Sequence, residues 1–263
     1  ITYDQFSIQR ALQEAYMGTA ASDNAVFAGT RMLGVRPRRK LPARVSVDLS
    51  RDPVGDYYEI PQYSVFGVNQ IQFFNRDKIV FKSLEETVTI TLFQGLVVEE
   101  LVTSDGEPFQ TYVIGNGTST ASDVDVIVTV DGEEWTRITE GPWLLGNRQK
   151  VFYESTTATG DIEIRFGNGD YGAIPGYGVP IKIQWVETLG LSGNLDSVND
   201  PVVLQNPENS QIYGETKTPC QGGDNELSAD IYRRIAPNLR AANRRAVRRS
   251  DYNSLALEFA GVR

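Results

Sequence analysis

Apolar and polar positions change their period twice along this chain. Over residues 4–34 Ile8, Ala11, Leu12, Ala15 and Tyr16 recur at helical spacing, with Asp4 placed to cap the first turn. A second helix is predicted after Ser22 and Asp23, with Ala25, Val26, Phe27, Met32 and Leu33 on its apolar side. Gly34 stands where a positive φ would close it. Two short helices have little area to bury by themselves, so docking on a partner chain is expected.

Beyond the break Arg36-Pro-Arg-Arg-Lys40 and Pro42, which suits neither a helix nor a central strand, the period becomes two. Residues 45–49, 79–82, 88–92, 95–101, 124–130, 151–153, 162–166 and 181–186 read as strands. Several are separated by the turn pairs Asp105-Gly106, Asn116-Gly117, Asp131-Gly132 and Asn168-Gly169. With no long helix between 45 and 200 to make crossovers, antiparallel pairing is expected, in one module or in two divided between residues 100 and 120. From 195 to 225 Asn, Pro, Gly and Ser dominate, which predicts an extended arm or long loop.

Helical spacing then returns. Leu227, Ile231 and Ile235 recur every four residues, Pro237 is expected to break or restart the turn, and Leu239, Ala242 and Ala246 continue the apolar trace. Ser250 is the expected cap of a last helix bearing Tyr252, Leu255 and Phe259, with Gly261 after it. The fold class expected is therefore α+β and multidomain: N-terminal helices, central antiparallel β modules and short C-terminal helices. The segments are 1–40 (helical), 41–110 (first β module), 111–200 (second β module, with a hairpin at Phe166-Gly-Asn-Gly169), 201–225 (arm) and 226–263 (helical).

Composition narrows the chemistry. The 263 residues hold 40% hydrophobic residues, enough for real cores, and a net charge of −9 that opposes general binding to nucleic acid or an anionic membrane. Histidine is absent, which removes Ser-His-Asp and Cys-His catalysis, histidine-ligated zinc and haem, and the usual neutral-pH proton shuttle. The single cysteine, Cys220, has neither a second cysteine nor a histidine to work with and is expected to be a structural thiol. No basic stretch followed by an apolar run opens the sequence, so no secretory signal is expected. No apolar run approaches the roughly 20 residues of a membrane span.

Four constellations invite sharper readings. Gly167-Asn-Gly-Asp-Tyr-Gly172 matches G-x-G-x-x-G after a strand, but Pro175, Gly176, Gly178 and Pro180 follow where a dinucleotide site needs a helix, so a β-turn is expected. Asp123, Asp125, Asp131, Glu133 and Glu134 lack the calcium-loop pattern and are read as solvated carboxylates on a strand and hairpin, ahead of a weak cation site or a glycosidase pair. Arg233, Arg234, Arg240, Arg244, Arg245, Arg248 and Arg249 come without aromatic interleaving, and are read as a solvated face or a site for an acidic protein partner rather than for nucleic acid. Trp135, Trp143 and Trp185, with Tyr57, Tyr58, Tyr63, Tyr171 and Tyr177, suit core packing and subunit contact better than a sugar platform.

Two regions resemble a known family. Gly223-Asp-Asn-Glu-Leu-Ser-Ala-Asp-Ile-Tyr-Arg-Arg-Ile-Ala-Pro237, Arg245-Ala-Val247 and Asp251-Tyr-Asn-Ser-Leu-Ala-Leu-Glu-Phe-Ala-Gly-Val262 resemble the baseplate J-like and wedge proteins of contractile-tailed bacteriophages. The run from Ile164 through Gly167-Asn-Gly-Asp-Tyr-Gly172 to Asn194 is similar to their glycine-rich strand-turn-strand module, and Met32-Leu-Gly-Val-Arg-Pro37 to the segment before their β region. Arg248 departs from the pattern, standing where relatives often carry a threonine cap.

The resemblance implies a non-enzymatic subunit of the virion tail baseplate, assembled in the host cytoplasm, that links neighbouring wedges into the ring and relays the rearrangement that triggers sheath contraction. Its implied partners are other wedge subunits, further copies of itself and sheath-initiating or hub proteins, with no cofactor, metal, nucleic acid, membrane or small-molecule substrate. It also implies a further domain beyond residue 263. Candidate interface residues are Ile8, Leu12, Tyr16, Phe27, Leu33, Arg233, Arg234, Arg244, Arg245, Arg248, Arg249 and Tyr252. The alternative is a carbohydrate-binding β module of a tail or cell-surface protein, and a histidine-free carboxylate glycosidase comes third.

Overall fold

A computed structural model describes residues 3–16, 18–52, 55–115, 120–138, 149–157, 159–206, 208–242 and 245–258. The chain is mostly β, with few helices. It opens with α1 (Tyr3–Ala15) and α2 (Asp23–Met32), then runs through β1 (Arg44–Arg51), β2 (Tyr58–Ile60), β3 (Val65–Val68), β4 (Ile71–Phe74), β5 (Ile79–Phe81) and β6 (Thr87–Gln94). Next come β7 (Leu96–Thr103), β8 (Thr111–Ile114), β9 (Ile127–Val130), β10 (Glu133–Ile138), β11 (Val151–Thr156), β12 (Ile162–Arg165) and β13 (Pro180–Glu187). The chain continues with β14 (Pro201–Asn206), β15 (Glu208–Thr216), α3 (Ala229–Ala242) and α4 (Arg249–Glu258).

Six strands close a barrel in the order β1-β15-β14-β3-β4-β6. Alternation along β1 sends Val45, Val47 and Leu49 inward, where they meet Phe66, Phe73, Leu92, Val202, Leu204 and Ile212. Closure satisfies the backbone groups that an open sheet leaves at its edges. The remaining long strands form a seven-stranded sheet, β7-β13-β9-β10-β11-β12-β8, around Val128, Trp135, Phe152, Ile162, Ile164, Phe166, Ile181 and Ile183. Trp135 and Phe166 meet edge-to-face with ring centroids 5.3 Å apart, a favoured aromatic geometry. The β9–β10 reversal is a two-residue turn in which Asp131 and Gly132 both take positive φ (50° and 79°), as the Asp-Gly pair predicts.

The structure revises four expectations about the β region. The 201–225 arm is instead largely β14 and β15, which complete the barrel, so the chain leaves the barrel after β6 and returns to it at β14. The first two β segments accordingly do not divide at 110: β7 already belongs to the second sheet, as the partner of β13. Among the described residues the named strands pair antiparallel except for β10 with β11, which run parallel. The glycine-rich run joins β12 to β13, which are not neighbours in the sheet, so it is a connecting loop and not a hairpin.

Within that loop Asn168 Oδ1 accepts the N–H groups of Asp170 (3.2 Å) and Tyr171 (2.8 Å), and Gly169 N–H bonds to Gly172 O (3.0 Å). A Cβ on Gly167 would lie 2.3 Å from Gly172 O. The glycine therefore permits close backbone approach, and the run is a turn, as its sequence context requires.

At the helical end Ser22 Oγ accepts the N–H of Ala25, and Gly34 takes a φ of 75° just past α2. The core here joins Val26, Leu227, Tyr232, Ile235 and Leu239, with Phe27 against it. Of the N-terminal pair expected to dock on a partner, α2 packs one face on α3 of its own chain. Pro237 lies inside α3 without ending it, because Ile235, Ala236 and Leu239 on either side are held in the core. Ser250 is not the cap of α4. Asp251 accepts the N–H groups of Val247 (3.2 Å) and Arg248 (2.8 Å), which offsets the cap missing at Arg248. Phe259 and Gly261 lie outside the described residues.

Candidate interaction surfaces and the arginine strap

The segment that reads as a charged boundary is largely buried. Pro37, Arg38 and Arg39 are buried, and four guanidiniums (Arg36, Arg38, Arg39, Arg137) meet three carboxylates (Asp123, Glu154, Asp224). Arg39 is 1% exposed and pairs with Glu154, donates from Nε to Ser122 O (2.9 Å), and reaches Thr156 Oγ1 (3.2 Å). Arg36 bridges Asp123 (2.7 Å) and Glu154 (3.2 Å). Arg137 Nε lies 2.5 Å from Glu154 Oε2, close enough for ion pairing but off the hydrogen-bond angle. Desolvation lowers the Arg137 pKa, with Glu154 opposing the shift.

Arg38 fastens the other side of the strap. Its Nη2 donates to Asp224 Oδ2 and to Asn225 O, both at 2.9 Å, and its backbone N–H donates to Tyr232 Oη at 2.6 Å. One short segment thus ties β11 and the loop before β9 to the start of α3. Removing one partner from such a cluster strands a buried charge, whereas the intact cluster roughly breaks even against apolar packing.

The carboxylates read as solvated divide into two groups. Asp123 and Asp125 lie in the loop before β9, where Asp123 serves Arg36 and Arg39 while Asp125 receives Arg76 Nε (2.6 Å) and Nη2 (2.7 Å). Asp131, Glu133 and Glu134 are exposed. Among the described residues no His, Cys, Asp or Glu group is arranged to hold a metal ion. Among them, too, no helix is long and apolar enough to cross a membrane. Cys220 is buried, and burial pushes its thiol up to about 11, which keeps it protonated and unreactive at neutral pH. Trp135 and Trp185 belong to the sheet core, which removes them from any sugar platform, and Trp143 lies outside the described residues.

The expected interface residues do not form one patch. Leu12 on α1 and Tyr16 just past its end are 60% and 70% exposed, and Glu14 ties the helix to α2 by accepting from Ser22 Oγ (2.6 Å). The Ile8 side chain and Arg244 lie outside the described residues. Phe27 is partly buried against Tyr232, with ring centroids 5.9 Å apart, and Leu33 is the half-buried C-cap of α2. Arg233 is committed inside the chain, to Ala20 O (2.8 Å) and Asp230. Arg234, Arg245, Arg248, Arg249 and Tyr252 are exposed.

Sequence reading passed over Glu154 and Tyr232. One signal for Glu154 was available: its place in β11 shares the inward parity of Phe152 and Thr156, and an acid at a core position needs a buried cation. No protein-family model matches the chain, and no curated protein matches it either.

Proposed function

We propose that the chain is a structural subunit of a phage tail baseplate wedge, linking neighbouring wedges into the ring and relaying the rearrangement that triggers sheath contraction. The motif resemblance motivates this reading, and α1 carries it: the helix leaves Leu12, and Tyr16 just past its end, to solvent while the next helix buries Val26 in the chain's own core. Covering each of these side chains at an interface is worth about 1.5–3 kcal/mol.

In this reading the chain is an α+β, multidomain subunit with no turnover. Helix α1 bundles with helices of other wedge subunits, the exposed arginines of the C-terminal end meet acidic surfaces of wedge, hub or sheath-initiating proteins, and the barrel and sheet set the spacing. The strap makes the spacer rigid, so a displacement at one interface is passed on to another. Co-purification with wedge proteins tests the reading. The double substitution Leu12→Asp with Tyr16→Asp touches only exposed positions. It is expected to abolish co-assembly while leaving the thermal melt unchanged, and undiminished co-assembly would remove α1 from the interface.

A further inference from the structure

A groove of about 580 Å³ lies between the C-terminal half of α2 and the outer face of β11 and β12. Alternation explains its position: Phe152, Glu154, Ile162 and Ile164 point into the core, which leaves Tyr153, Ser155, Glu163 and Arg165 outward. Register sets Tyr153 directly across from Arg165, and Ser155 across from Glu163. From above, Arg31 of α2 reaches down to Glu163 Oε2 at 3.2 Å. Met32, Phe109 and Tyr171 form an apolar rim and are 89%, 54% and 46% exposed.

Two polar groups in this groove await an acceptor. Tyr153 Oη is sealed from solvent and has no hydrogen-bond partner among the described residues. Burial raises its pKa, so the hydroxyl stays protonated and able to donate. Arg165 donates from Nε to Thr111 Oγ1 at 3.4 Å, but no carboxylate pairs with it among the described residues. With Arg31 matched by Glu163, the groove carries one positive charge in excess.

We propose that this groove docks a segment of a partner protein that presents an apolar side chain to Met32, Phe109 and Tyr171 and an Asp or Glu carboxylate to Arg165 and Tyr153 Oη. The rim is too open to enclose a small ligand, which normally loses about 70–90% of its surface to a pocket. A second copy of the chain brings another net charge of −9 and is repelled at long range. A buried carboxylate on a guanidinium with a phenol beside it is a strong, directional contact, and aromatic residues and Met are typical of interface centres. The proposal deepens the wedge reading and rests on it for the kind of partner.

The test uses the whole chain and two labelled model peptides, one alternating leucine with glutamate and one alternating leucine with lysine. Saturable binding of the glutamate peptide alone is expected, weakened roughly tenfold by Arg165→Gln and severalfold by Tyr153→Phe or Met32→Ala. Arg165 and Met32 are exposed, so unchanged circular dichroism is expected for those variants. No saturable binding, or binding indifferent to Arg165→Gln, overturns the proposal. So does complete competition by free phenylacetate, which would indicate a small-molecule site, or a dimer of the chain that Met32→Ala disperses. The Leu12 and Tyr16 substitutions leave every groove residue in place, so failure of this experiment and failure of the wedge reading are separable.

Discussion

Arg39 and Glu154 form an ion pair across 115 residues of sequence with both side chains sealed from solvent. Arg36 and Arg137 lean on the same carboxylate, so replacing Glu154 leaves Arg39 and Arg137 without a carboxylate partner, while Arg36 keeps Asp123. Glu154→Gln is expected to cost about 3–5 kcal/mol in urea unfolding. Arg39→Met combined with Glu154→Leu should cost less than the sum of the two single changes, because the pair is removed together. A Glu154→Gln loss below about 1 kcal/mol, the size of an exposed pair, would show that the cluster is solvated.

Arg76 couples the barrel to the second sheet. It forks onto Asp125, whose side chain is 7% exposed, and its guanidinium carbon lies 3.6 Å from the centroid of the Phe93 ring. Arg76→Lys keeps the charge but loses both the fork and the stacking, and should destabilise nearly as much as Arg76→Ala, by roughly 2–3 kcal/mol. Full retention of stability in the lysine variant would mean that charge alone matters there.

Gly167 and Gly132 test whether the glycine-rich run is structural. A Cβ on Gly167 meets Gly172 O at 2.3 Å, whereas at Gly132 nothing lies within 4 Å and only the positive φ resists substitution. Gly167→Ala should therefore cost about 2–3 kcal/mol and Gly132→Ala about 1 kcal/mol. The reverse order in thermal unfolding would contradict the described turn.

Alkali should loosen the fold in two steps. Burial raises the Cys220 thiol from 9.0 to about 11 and the Tyr232 hydroxyl from 10.0 to about 12. Both groups are neutral when protonated and favour the folded state in that form. Their contributions are fully present below the unfolded values and are lost as pH rises through the folded ones. The urea midpoint should hold to about pH 9 and then fall, and in Cys220→Ala the fall should begin near pH 10. An identical onset in both proteins would rule out the cysteine step.

How much of this was legible follows from which signals are local. Alternation located β1, β6, β7, β11, β12 and β13, Asp131-Gly132 located a hairpin turn, and Ser22-Asp23 the start of a helix, because each is decided within a few residues. Strands β14 and β15 were missed: exposed Val203 and Tyr213 blur the alternation of buried Val202, Leu204 and Ile212, and the polar composition around them reads as loop. Helix α3 runs through Pro237 because tertiary packing of Ile235 and Leu239 outweighs a local breaker. The strap reads as a boundary in sequence because nothing near Arg36 to Arg39 reveals Glu154 or Asp224, which only the fold brings to them. The groove depends in the same way on α2 lying over β11 and β12, a placement no sequence period encodes.

A density map of an assembled contractile tail containing this chain tests the central proposal most directly. The account predicts the barrel and seven-stranded sheet in the baseplate ring around the hub, with Leu12 of α1 and the adjacent Tyr16 buried against helices of another wedge subunit. The chain found in a tail fibre, or placed in the ring with α1 facing solvent, would contradict it.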